Sequence, residues 1–388
     1  MKLDIDRPQQ LAAWLDAPQP AVFHGIDLRR HSAAIASRPI EGCVFLGCRM
    51  EQQLEDAAAH AGCLVMPPVE GLPFDPFTPH IYTPDQLYDH FDPTNPASYR
   101  DCMDYHVYAS LKNPQTGEML PADVDTMLFR RLHDACVAEA LDDVLDPAAH
   151  LRCVAIMGGH DRSRTDTVYR EVARLGLDLA RNGFIVITGG GPGLMEAANL
   201  GAYAAGFDDA DALLLRVISQ LAAAPTYKHE RWLADGFAAW KAMGVPARPE
   251  LSRNFGVPTW FYGHEPPNVF ATHIAKYFEN SVREEGLLAV ALGGVVFAPG
   301  NAGTVQEIFQ DGCQNYYRTY AKKKSPMILY DTDYWNPAQP VYSDPNDRRK
   351  PAYPLLRKLA AEKGFEDYLL LTGDLAAIVP FLKAHPPV

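Results

Sequence analysis

The second half of the chain alternates wholly apolar stretches with amphipathic ones. "CVAIMGG" (153–159) is apolar and stops at glycines; "TDTVYREVARLGLDLARNG" follows with apolar residues at helical spacing and a glycine stop at 183. "FIVITGGG" (184–191) is a second buried-strand pattern, and "PGLMEAANLGAYAAG" places a proline where a helix would begin. "ALLLRVIS" (212–219) is expected to be a third strand. After a long excursion come an expected helix "VFATHIAKYFENSVREE" (269–285), strand "GVVFAPG", helix "TVQEIFQDGCQNYYRTY" and strand "PMILYD" (326–331). Such alternation predicts an α/β fold: a Rossmann-like, doubly wound parallel sheet with helices on both faces. Ligands of such sheets bind at the carboxyl ends of the strands, where the glycine-rich turns fall.

Before about residue 150 the rhythm differs. Proline- and aspartate-rich stretches such as "MPPVEGLPFDPFTPHIYTPDQL" surround one strand–helix–strand pattern, "GCVFLG" (42–47), "MEQQLEDAAAHAG" (50–62) and "CLVMP" (63–67). A further helix is expected through "ADVDTMLFRRLHDACVAEALDDVL", and the remainder reads as irregular loops. The expected organisation is an N-terminal α/β extension over 1–150, of unassigned role, and a nucleotide-binding catalytic domain over 151–388.

Composition narrows the function classes. A length of 388 residues accommodates one large or two ordinary domains, and 47% apolar with 21% charged residues is globular composition. A net charge of −13 argues against a partner that is a nucleic acid polymer, since no basic face dominates. The apolar runs contain glycines and fall short of the roughly 20 residues of a membrane span. The start "MKLDIDRPQQ" lacks the apolar core of a signal peptide, so a cytoplasmic location away from membranes is expected. The 7 cysteines are scattered without CxxC or matching histidine spacing; reduced thiols and no metal site are expected.

Candidate chemistry lies in the turns. "TGGGPGLMEAAN" (188–199) lets backbone approach a ligand at a helix start, which is the physics of phosphate binding, although a packing turn would look the same. It lacks the GK[ST] of a triphosphate loop. In "APGNAGTVQE" (298–307), Thr304 reads as a helix N-cap able to hold phosphate oxygens, while Thr304 and Glu307 also fit a capping box with no further role. In "PPNVFATHIAKYFENSVREEG" (266–286), Asn268 is expected to open the helix and Arg283 to lie near its far end, with His273 and Lys276 on a solvated or interface face. His160, Arg162, Ser163 and Arg164 of "MGGHDRSRTD" (157–166) form a loop that could meet a base or ribose.

Taken in order, "GGGPGLMEAA", "PNVFATHIAKYFENSVRE" and "PGNAGTVQE" resemble the Lonely-guy family, long mislabelled as lysine decarboxylases, whose pattern is GGGxxGLM, PN…YF..RK and PGGxGTxxE. The resemblance runs over roughly 151–386 and is nearest to the larger bacterial nucleotide 5′-monophosphate nucleosidases, which carry an additional N-terminal domain. It implies a phosphoribohydrolase that cleaves the N-glycosidic bond of nucleoside 5′-monophosphates to free base and ribose 5-phosphate, without a cofactor. By position it implies Arg283 and Glu307 as catalytic, and Gly159, Gly190, Gly191, Gly193, Asn268, Gly300, Gly303 and Thr304 as substrate-binding. A homodimer, or a multiple of one, is implied as well. Two departures stand out: Asn301 replaces the second glycine of PGG, where tolerance of a left-handed backbone would preserve the turn, and Glu284 replaces the lysine of RK. The alternative is a non-catalytic nucleotide-binding or sensing protein. A pyridoxal-phosphate decarboxylase has no evident Schiff-base lysine here.

Overall fold

The named strands form two sheets, and every pairing between neighbouring strands is parallel. The computed structural model describes residues 2–262, 265–320, 322–339, 344 and 346–388. The chain divides into two compact units, one comprising residues up to Ile81 with Glu118–Leu141, the other Tyr82–Gly117 with Asp142–Val388.

In the first unit, β1 (Leu3–Ile5), β2 (Ala21–His24), β3 (Val44–Leu46) and β4 (Leu64–Met66) pair in sequence order. The expected strand–helix–strand is present, with its helix at Gln52–His60, as is the helix Val124–Val144. The expectation of loops elsewhere is overturned by β1, the helix Pro8–Asp16 and β2, which extend the sheet. Strands of three and four residues are too short to leave a period in the sequence. Alternation along β2 still sorts its side chains. Ala21 and Phe23 join the core around Trp14 and Phe45, while Val22 packs with Leu46, Phe77 and Cys136 on the other face.

The second unit holds a seven-stranded sheet of β5 (Cys153–Met157), β6 (Ile185–Thr188), β7 (Asn254–Gly256), β8 (His273–Ile274), β9 (Gly294–Phe297), β10 (Met327–Tyr330) and β11 (Leu369–Thr372). Its order is β11-β10-β9-β5-β6-β7-β8. The chain moves outward from β5 to β8, then returns to lay β9 on the other side of β5. That reversal is the switch point at which a parallel sheet opens a crevice. Helices α1 (Thr167–Arg181), α2 (Leu194–Ala204), α3 (Ala210–Leu221), α4 (Asn280–Val290) and α5 (Ala302–Tyr317) connect and flank these strands.

Three expectations change here. "ALLLRVIS" is part of helix α3: Leu213, Leu214, Val217, Ile218 and Leu221 are buried while Leu215 is 66% exposed. A short apolar run fits helix and strand alike, and here helical spacing wins. The third strand is β7, whose Asn-Phe-Gly carries no apolar run. Residues 269–279 are not helical. Phe270, Ala271, Ile274, Ala275, Tyr277 and Phe278 are buried together, and the backbone is taken up instead by pairing with Tyr82, Gly256 and Pro258.

Lys276 is therefore interior, not solvated. Its ammonium pairs with Asp104, which also accepts from the Trp260 indole at 3.1 Å and the Tyr99 hydroxyl at 2.8 Å. This buried, fully partnered carboxylate ties residues 82–117 into the second unit, and loss of either ion would strand the other without compensation.

Helices α1 and α2 approach backbone to backbone. A Cβ on Gly176 would stand 2.3 Å from the Ala198 carbonyl oxygen, and one on Gly201 would stand 1.8 Å from that of Ala173. Gly201→Ala must separate the helices and is expected to destabilise the protein by about 2–3 kcal/mol, read as a lower urea midpoint; an unchanged midpoint would refute the close contact.

Asp311, on α5, is 1% exposed and its Oδ2 has no hydrogen-bond partner; burial pushes its pKa up to about 8. Between its unfolded value near 4 and about 8, the unfolded chain releases a proton that the folded protein keeps, so stability falls as pH rises. Asp311→Asn is expected to flatten the stability profile between pH 5 and 7 by about 1 kcal/mol per pH unit. Urea titrations across that range check it, and parallel profiles would count against it.

Candidate functional site

A cavity of about 300 Å³ lies at the switch point, lined by residues that follow β5 and β9 together with parts of α2, α4 and α5. Three turns build it, and main-chain hydrogen bonds knit them. Ala298 N donates to Met157 O at 2.8 Å, Gly159 N to Pro299 O at 3.2 Å, and Leu194 N to Gly159 O at 3.1 Å. The last bond uses the first free N–H of α2, and it needs Gly193 at φ 68, because a Cβ there would stand 2.4 Å from Gly159 O.

The turn after β6 is held from behind by a buried amide cluster. Thr188 Oγ1 donates to Asn199 Oδ1 at 2.7 Å and accepts from Gly190 N at 2.9 Å. Asn268 donates through Nδ2 to Asn199 Oδ1 and to Gly191 O, while its backbone N donates to Gly190 O. Gly190, at φ 70, fits against Pro258 and Gly256. Asn268 is thus a buried loop residue that positions the turn, not a helix start.

The turn after β9 behaves differently. Helix α5 begins at Ala302 with Asn301 as its N-cap, so Thr304 is inside the first turn and no capping box joins it to Glu307. Asn301 has φ −97, outside the left-handed region; its side chain makes no cap bond and lines the cavity. Val305 N makes the first intrahelical bond, to Asn301 O. The N–H groups of Ala302, Gly303 and Thr304 precede it, and all three residues line the cavity, so this helix start offers donors to an anion. Gly300 is needed for packing: a Cβ there would stand 2.1 Å from Thr304 Oγ1.

Arg283 and Glu307 face each other across this space. Arg283 is in the first turn of α4, not at a far helix end, and its guanidinium is 4.0 Å from Glu307 Oε1. It donates to Asn280 Oδ1 at 2.9 Å and lies 3.6 Å from Glu284, while its buried Nε has no partner. Beside it, Gly189 makes room for Met195, whose Sδ would stand 2.8 Å from a Cβ there. Glu284 accepts from Asn280 at 3.0 Å and Gln306 at 2.6 Å, so two neutral amide donors hold the carboxylate that stands where the family pattern has lysine. Glu307 is 9% exposed, and desolvation raises its pKa to about 8; Arg283 opposes that shift and Glu284 adds to it.

Of the residues expected at the site, Arg283, Glu307, Gly159, Gly303 and Thr304 line the cavity together. Gly190, Gly191, Gly193, Asn268 and Gly300 stand behind its wall. His160 is at the cavity, 3.4 Å from Glu265. Arg164 is not available to a base or ribose: it is buried, donating to Glu196 through Nε at 2.9 Å and to Ala224 O at 3.0 Å. Met157, Met195, Tyr262 and Glu265 also line the cavity and were not singled out in the sequence: the two methionines lie inside quoted motifs but have no chemistry of their own to mark them, and Tyr262 and Glu265 fall outside any motif.

Among the described residues no helix is long and apolar enough to cross a membrane. Comparison with curated proteins gave no match. Among solved structures the chain is similar to the molybdenum cofactor binding protein from the phototrophic bacterium Rippkaea orientalis, at 14% identity over 60% of this chain and 95% of that one; a TM-score of 0.33 carries no argument. Residues 151–207, which hold β5, α1, β6 and α2, match the model of the SLOG cluster4 family. The superfamily so indicated includes the Lonely-guy proteins, and the match suggests a nucleotide-related role.

Proposed function

We propose that this protein hydrolyses the N-glycosidic bond of nucleoside 5′-monophosphates, releasing the base and ribose 5-phosphate. The observation that carries the proposal is the pairing of Glu307 with Arg283 at 4.0 Å in a cavity that also receives the open N-terminus of α5. The 5′-phosphate is assigned to the N–H groups of Ala302, Gly303 and Thr304, with the Arg283 Nε as a further donor. Phosphate binding remote from the scissile bond then holds the anomeric carbon against Glu307. As the bond breaks, the base leaves with the bonding electron pair and positive charge develops on the sugar. The Glu307 carboxylate stabilises that charge and takes a proton from the attacking water, whose hydroxyl bonds the anomeric carbon, and the proton is passed on to the departing base.

Burial gives this assignment a pH signature. Because the Glu307 pKa is raised to about 8, the carboxyl is neutral below that value and ionised above it. A reaction that needs the carboxylate gains about tenfold in kcat/KM per pH unit up to that point and then levels off. A second reading, nucleotide binding without turnover, draws on the same fact: at neutral pH most of the Glu307 carboxyl is protonated. Free base and ribose 5-phosphate measured over a panel of nucleoside monophosphates, from pH 6 to 9, separate the two. Glu307→Gln is expected to abolish base release while AMP or CMP still binds. Near-wild-type hydrolysis by that variant would refute the catalytic assignment, and binding without turnover across the panel selects the second reading.

A further inference from the structure

A second cavity, of about 270 Å³, opens at the carboxyl edge of the same sheet, beside the ends of β9 and β10. Its lining includes Arg162, Pro299, Asp331, Tyr334, Arg348 and Arg349, and it shares none of these with the first cavity. The wall between the two is thin. A Cβ on Gly159, which faces the first cavity, would meet both the Arg162 Cγ and the Pro299 carbonyl oxygen at 3.4 Å.

The charges in this second cavity do not balance. Arg349 is committed to Asp347 at 2.8 Å and Asp333 at 3.2 Å. Among the described residues, the guanidinium groups of Arg162 and Arg348 have no hydrogen bond or ion pair. Asp331 is the lining carboxylate, and its Oδ1 is occupied by Tyr334 N at 3.1 Å. Asp331 also has φ 83, a conformation that a non-glycine residue holds only where its surroundings enforce it. Burial raises the Tyr334 pKa; Arg162 and Arg348 oppose the rise while Asp161 and Asp331 add to it, so both cations act on the same point of the cavity.

We propose that this cavity is an anion site, which takes a small molecule through a phosphate or pyrophosphate group held by Arg162 and Arg348. Two guanidinium forks arriving from separate segments suit the tetrahedral array of phosphate oxygens better than a planar carboxylate. The site is independent of the hydrolysis proposed above. It is nevertheless joined to the first cavity, because the Tyr334 hydroxyl donates at 2.5 Å to Gly300 O, in the turn that starts α5. An occupant therefore rests on the side chain that braces the other cavity's turn.

Calorimetric titration of the full chain with pyrophosphate at low ionic strength tests this. Because the first cavity is itself proposed to bind phosphate through Arg283, the titration is run in an Arg283→Ala background: that variant is expected to bind pyrophosphate, and the same background carrying Arg162→Ala/Arg348→Ala to bind it at least tenfold more weakly. Arg348→Glu, a change on an exposed side chain, provides a second variant with the same expected loss, and thermal melts identify any variant that has unfolded. The proposal is overturned if the Arg283→Ala background does not bind pyrophosphate, or if adding Arg162→Ala/Arg348→Ala to it leaves the titration unchanged. None of these outcomes depends on whether a nucleotide is hydrolysed.

Discussion

The main-chain hydrogen bonds of Gly159 are the constraint on which the site depends. Its N–H reaches the turn after β9 and its carbonyl reaches the start of α2, so one residue ties three connections of the sheet together. A Cβ there would crowd Asp161 Oδ1 at 3.1 Å and Pro299 O at 3.4 Å, which favours glycine, and the residue follows the strand at which the sheet reverses direction. β5 is that strand, with β6 on one side and β9 on the other. The crevice is thus fixed by backbone geometry before any functional side chain is considered.

Electrostatics within the crevice follow from that rigidity. Helix α5 enters with its first N–H groups uncapped by a side chain, which leaves positive potential at the cavity, while Glu307, one turn further on, is drawn out of water by the same packing. Arg283 is too close to ignore and too engaged with Asn280 and Glu284 to neutralise Glu307 fully. The result is a carboxyl held near its ionisation point. The group Glu284 explains part of this: a lysine at that position would oppose desolvation, whereas a carboxylate adds to it.

Much of this was legible in the sequence because local chemistry specifies it. Apolar runs marked β5, β6, β9 and β10, the first three ending in glycines, and the order of three turn motifs brought Arg283 and Glu307 into one site. What stayed hidden depends on contacts between distant residues. β7 and β8 are three and two residues long and are held by neighbours, and Lys276 reads as a surface residue until Asp104, far away in sequence, is placed beside it. The Thr304–Glu307 spacing fitted a capping box because the same spacing arises inside any helix; only the position of Asn301 decides the frame.

The two glycine-rich turns, alike in sequence, therefore do different work. In the first, Gly190 and Gly193 are consumed by close approach of backbone to backbone, and the leading N–H of α2 is already bonded to Gly159. In the second, Gly303 has open space around its α-carbon, and the N–H groups of its helix start are uncommitted. Glycine content alone cannot distinguish a turn that packs from one that binds; the distinction lies in whether the freed N–H groups have already found acceptors. By that criterion the start of α5, where none of the first three N–H groups has an acceptor among the described residues, has more to offer an anion than the start of α2, where Leu194 N is already spent on Gly159.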